Sequence, residues 1–174
     1  MADRLVLGIG NLLMGDEGVG VHAIEYLRGA GLPADVSLVD GGTGGFHLLE
    51  LLSADAPLVM IDATMDGQPA GTVRTLRPRY ACDFPRALSA HDIGLRDLME
   101  AAQITGALPD VALITVSIDE IRAMDMTLSP AVASALPAVR DAVAEALARQ
   151  RALTAAGPSA LVAAHEAARG DTHA

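Results

Sequence analysis

Apolar positions along this chain fall into short dense runs and longer periodic stripes. Arg4 to Ile9 (RLVLGI), Val36 to Val39 (VSLV), Pro57 to Ile61 (PLVMI) and Val111 to Ile118 (VALITVSI) are runs with turn residues or carboxylates at their ends. That is the pattern of strands buried on both faces. Gly71 to Leu76 (GTVRTL) alternates instead, which predicts an edge strand. Between the first two runs, Val19, Ala23, Ile24 and Leu27 recur at helical spacing, with Asp16 placed to cap the helix and Gly29 and Gly31 placed to stop it. Further helices are predicted over residues 46–52 and 91–103. Ser129-Pro130 opens a final long helix, since Pro is tolerated at the first helical position. Its apolar stripe is Val132, Leu136, Val139, Val143 and Leu147, and Pro137 inside it is expected to bend it.

Strands alternating with helices predict an α/β fold: a single-domain three-layer sandwich with a largely parallel twisted sheet of about five strands, flanked by helices on both faces. Residues 1–150 form that one domain. Residues 151–174, Ala-rich and without turn signals, are expected to be a flexible or helical tail. Ligands of such sheets bind beyond the carboxyl ends of the strands. That rule draws Asn11–Glu17, Asp40–Gly45 and Asp62, which is read as closing its strand, to one edge.

Composition narrows the function. Of the 174 residues 51% are hydrophobic, enough for a full core, but only 2% are aromatic and the formal charge is −10. Few stacking surfaces and repulsion from phosphate exclude a nucleic-acid partner and an anionic membrane surface. The single cysteine, Cys82, rules out an internal disulfide and a thiolate zinc cage, and is expected to be structural. The start, MADRLVLG, has no signal-peptide pattern, and no apolar run approaches the ~18 residues of a membrane span. A cytoplasmic protein is expected.

The stretch Gly8 to Gly20 (GIGNLLMGDEGVG) resembles a phosphate-holding loop at first sight. The dinucleotide fingerprint fails because Leu13 stands at the third glycine position, and the P-loop fails for want of a Lys-Ser or Lys-Thr pair. Asp16 and Glu17 put carboxylates where a phosphate would sit, so the loop suits a cation better than a nucleotide. One reading leaves these two as a cap and a dipole complement. Another joins Glu17 to Asp62 and to His91 in SAHDIGL. Two carboxylates and an imidazole are a sensible set for a borderline divalent metal with positions left open. Taken alone, His91 reads as a helix-start residue and His22 as part of a solvated helix face. Met124 and Met126 flank a loop, where they either fill gaps or touch a partner.

GIGNLLMGDEGVGVH, DGGTGG at Asp40 to Gly45, Asp62 in VMIDAT and SAHDIGL at Ser89 to Leu95 occur in the order found in the nickel–iron hydrogenase maturation endopeptidases, and over about Leu5 to Leu147 the chain resembles that family. The resemblance implies an enzyme that removes the C-terminal extension of a hydrogenase large-subunit precursor after nickel insertion. It carries the metal-contacting and catalytic roles onto Glu17, Asp62 and His91. The substrate-recognition role passes to Asp40, Gly41, Gly42 and Thr43, and Asn11 is expected to shape the loop or orient a substrate carbonyl. Nickel would arrive with the substrate rather than stay bound, and a monomer is the family expectation. The rivals are a non-catalytic nickel-binding assembly factor and a nucleotide-binding α/β protein.

Overall fold

The computed structural model describes residues 4–43, 48, 57–78, 99–101, 104 and 110–156. Five strands form one sheet: β1 (Arg4–Gly8), β2 (Val36–Asp40), β3 (Leu58–Thr64), β4 (Val73–Leu76) and β5 (Val111–Ser117), in the order β2-β1-β3-β5-β4. β2, β1, β3 and β5 are parallel, and β4 joins β5 antiparallel at the edge. The alternating GTVRTL pattern therefore marks the edge strand, exposed along most of its length.

The dense apolar runs are explained by burial on both faces. Val6 of β1, Val59, Ile61 and Ala63 of β3, and Ala112, Ile114 and Val116 of β5 enter one core. That core is closed by Val19, Ala23, Ile24 and Leu27 of helix α1 (Val19–Arg28) and by Val132, Val139, Val143 and Leu147 of helix α2 (Pro130–Ala156). The intervening residues Leu7, Leu58, Met60, Val111 and Leu113 face the other way and pack with Leu48 and Met99. Those two come from the segments predicted as helices over 46–52 and 91–103. Leu48 lies in a 3-10 turn and Met99, Glu100, Ala101 and Ile104 are helical, while the rest of both segments lies outside the described residues.

Two expectations change. The helix expected from Asp16 starts as a 3-10 turn, Gly15–Gly18, and becomes α-helical at Val19, with no side-chain cap on either segment. The strand expected to close at Asp62 runs on to Thr64, because β5 still pairs there: Asp62 with Thr115, Ala63 with Val116 and Thr64 with Ser117. The final helix passes Pro137 unbroken and continues beyond residue 150 to Ala156, with Arg151 ion-paired to Asp35. Among the described residues no helix is long and apolar enough to cross a membrane.

Candidate active site

The topology selects one place for chemistry. From β1 the chain crosses to β2 on one side, and later strands add on the other, so the crevice between β1 and β3 is where the strand order reverses. Pairing of β1 with β3 ends at Gly8–Ile61. The next residue of β3 is Asp62, which still has β5 on one side but on the other has the loop that follows β1 instead of a strand.

That loop carries Asn11–Glu17 and is held by its own backbone. Ile9 N–H donates to Ile61 O at 2.9 Å and Met14 N–H to Asn11 O at 3.0 Å. The Asn11 side-chain oxygen accepts the Leu13 N–H at 3.0 Å. Asn11 thus shapes the loop by an Asx turn, one of its two expected roles. The Asn11 N–H donates to Glu17 Oε2 at 2.5 Å, which orients the Glu17 carboxylate. A Cβ on Gly10 would lie 2.1 Å from the Glu17 carbonyl oxygen, so only glycine lets the turn fold back this closely. The DGGT loop supports it from the other side. Gly10 N–H donates to Gly42 O and Gly41 N–H to Gly8 O, both at 2.8 Å, while Asp40 Oδ1 accepts the Gly42 N–H at 2.8 Å. Thr43 is exposed at its tip.

The electrostatics place Glu17 and Asp62 in one field. Asp62 is half-buried as a residue, but its carboxyl group is desolvated, and this is the main cause of a pKa pushed up to about 8. The Ala63 N–H, donated to Asp62 Oδ1 at 2.9 Å, pulls in the opposite direction. The negative charge of Glu17 then adds to the rise. Two carboxylates sharing a poorly solvated site disfavour double ionisation, and a divalent cation between them relieves that repulsion. Among the described residues no group of three or more metal-capable side chains comes together. His91, the third expected member, lies outside the described residues, as do Cys82 and the SAHDIGL motif.

Asp16 has a different task from the one expected. It is 4% exposed. Its Oδ1 accepts the Ser129 N–H at 2.6 Å and lies 3.7 Å from the Arg122 guanidinium. It therefore secures the entry to α2, not the start of α1. Ser129 and Arg122 each lie more than 100 residues from Asp16, so no local pattern announces the contact. Asp16→Ala would leave the Ser129 N–H without its acceptor and is expected to destabilise the fold by about 2 kcal/mol in urea unfolding, with Asp16→Asn recovering most of it because an acceptor oxygen is retained. His22, read as a solvated face, sits with Nε2 3.1 Å from the Met126 carbonyl oxygen and helps hold the same loop.

Known proteins resemble this chain in sequence and in fold. The family model for hydrogenase maturation proteases matches residues 21–147. The chain is 39% identical over 146 residues to the hydrogenase expression/formation protein HupD of Rhodobacter capsulatus, covering 81% of this chain and 70% of that protein. It is 34% identical over 157 residues to the hydrogenase 2 maturation protease of Escherichia coli, covering 84% of this chain and 96% of that one. The structure of the E. coli hydrogenase maturating endopeptidase HybD superposes with a TM-score of 0.73 at 32% identity, over 84% of this chain and 92% of that one. With a family model matched over residues 21–147, the sequence similar over most of its length and the fold shared, this chain belongs to the hydrogenase maturation protease family.

Proposed function

We propose that this protein is an endopeptidase that removes the C-terminal extension of a nickel–iron hydrogenase large-subunit precursor once nickel has been inserted. In this reading it recognises the loaded state by closing Glu17, Asp62 and His91 around the substrate's own nickel. The observation that carries the reading is the pairing of Glu17 with Asp62 at the crevice, with the Asp62 carboxyl pushed up to about 8. A site whose two carboxylates repel each other when empty binds strongly only what brings positive charge. An unloaded precursor brings none, and a loaded one brings a divalent ion, so differential affinity alone makes the site a sensor of loading.

The residues divide the work by position. Glu17, oriented by the Asn11 N–H, and Asp62, oriented by the Ala63 N–H, are the oxygen ligands, and His91 is the nitrogen ligand by resemblance to the family. Held by these residues, the substrate's nickel would keep the scissile bond in register or would supply a Lewis acid for its carbonyl. A carboxylate of the pair or His91 would move the proton in the cleft. The loop Asp40–Thr43, hydrogen-bonded to the first loop, offers backbone groups to the peptide.

Purified protein mixed with nickel-loaded precursor is expected to release the extension, read by mass spectrometry, and to release none from nickel-free precursor. Glu17→Gln keeps the shape of the loop but removes the charge, and is expected to lower processing more than ~100-fold with thermal stability held, since loss even of an outer partner of a ligand costs ~10–100-fold. Binding without release by the unmodified protein would point to a non-catalytic assembly factor. Full processing by the Glu17, Asp62 and His91 variants would end the proposal.

A further inference from the structure

Beside the Glu17 loop lies a feature that the cleavage reading does not use. The segment from Asp119 to Ser129, which leads from β5 to α2, is stapled along the first motif. Gly15 N–H donates to Asp125 O at 2.6 Å, and Met14 and Asp125 form an isolated parallel bridge. Arg122 sets the segment's shape by donating to Thr127 O at 2.9 Å and pairing with Asp125 at 3.1 Å. Together with the His22 and Asp16 contacts, this packs the segment as a wall along the loop that carries Glu17.

That wall displays apolar side chains to solvent. Leu13 is 48% exposed, Met124 85% and Met126 56%. The bridge at Met14 and Asp125 sets Leu13 and Met124, each one residue before the bridged pair, next to one another. Met124 is also the one non-glycine residue with a positive φ, 60°, among the described residues. The left-handed conformation is unfavourable for Met, and here it supports no buried contact of the side chain. The turn at Met124 serves the backbone, since Asp125 next to it accepts the Gly15 N–H, but folding gains nothing from the Met124 side chain, which stays in water. Asp119 and Glu120 are exposed on the same segment, and the chain carries a net charge of −10.

We propose that Leu13, Met124 and Met126 form a docking surface for the precursor polypeptide next to its cleaved bond, and that the segment taken there is apolar with basic flanks. This rests on the proposed cleavage. A chain whose scissile bond reaches Glu17 and Asp62 must pass over an adjoining wall, and this wall is continuous with the loop that carries Glu17. Flexible methionines suit an interface that must release its product, because they repack at little cost. The acidic border favours basic over acidic flanking residues.

Steady-state processing of nickel-loaded precursor by Leu13→Ser, Met124→Asn, Met126→Ser and the triple variant tests the proposal. Each single change is expected to raise KM roughly 10-fold, the effect of removing one buried apolar side chain, with kcat within about two-fold. Met124→Asn is the discriminating variant. Asn tolerates the left-handed conformation, so its Tm should match or exceed that of the unmodified protein while KM rises. A Tm loss with KM unchanged would make Met124 structural and overturn the proposal, as would an unchanged KM in the triple variant. Self-association in sedimentation that the triple variant abolishes would assign the surface to a second copy and also overturn it. If the unmodified protein binds loaded precursor without cutting it, the cleavage reading fails. The same variants then report docking through equilibrium Kd, expected to rise by the same factors.

Discussion

Asp62→Asn is expected to make the protein more stable and inactive. The ordinary carboxyl pKa is 3.8, and in the folded protein burial and the Glu17 charge push that of Asp62 up to about 8. The folded state therefore binds a proton that the unfolded state releases. The sign follows from linkage. The contribution of this group to stability is full below about pH 4, is lost progressively as pH rises towards about 8, and is flat above. At roughly 1.4 kcal/mol per pH unit the full loss is on the order of 5 kcal/mol. Partial solvent access at a half-buried residue reduces this to about 3 kcal/mol. Asn is never ionised, and its side-chain oxygen still accepts the Ala63 N–H that Asp62 accepts at 2.9 Å. Scanning calorimetry near pH 8 should find the variant ~5–10 °C more stable, with the difference shrinking to nothing as pH falls to 4. Processing of loaded precursor should fall more than ~100-fold, because a neutral amide is a poor ligand for a divalent ion. A variant less stable at pH 8 than at pH 4, relative to the unmodified protein, would contradict the desolvated carboxyl pair on which the site reading stands.

The second large effect is on the fold itself. Gly20→Ala is expected to cost roughly 3 kcal/mol or more, seen as a Tm lower by about 10 °C or as insoluble protein. A Cβ there would sit 2.1 Å from the Ile9 carbonyl oxygen and 2.5 Å from that of Ile61. Both are backbone atoms, one just past β1 and one where the pairing of β1 with β3 ends, so no side chain can move aside. The helix would have to lift off the sheet, and η1 (Gly15–Gly18), which precedes α1 directly, would carry Glu17 away from Asp62. Gly29→Ala is the matched control: its nearest contact would be Tyr26 O at 3.8 Å, and the expected change is within about 0.5 kcal/mol. Equal losses at the two positions would show that helix propensity, and not close approach to the sheet, explains Gly20.

Much of the architecture is legible in local pattern, for a physical reason. RLVLGI, PLVMI and VALITVSI are dense in apolar residues because β1, β3 and β5 lie between two cores, and GTVRTL alternates because β4 lies at the edge. The strand-end rule brings the Asn11–Glu17 and Asp40–Thr43 loops together, and they are joined at Gly10 and Gly42. The boundary at Asp62 misleads because strand length is set by the partner: β5 extends pairing past the point where β1 stops.

The amino-acid sequence alone determined the α/β class and the strand runs, since each depends on residue type and short-range spacing, and by resemblance to a family it set Glu17 and Asp62 in one group of motifs. Only the tertiary structure decided that Asp16 serves α2 instead of α1, that Arg122 and Asp125 brace the first loop, and that Met124 stands strained and exposed beside it. Those facts depend on contacts between segments more than 100 residues apart, whose meeting is fixed by sheet order and packing and leaves no periodic trace along the chain.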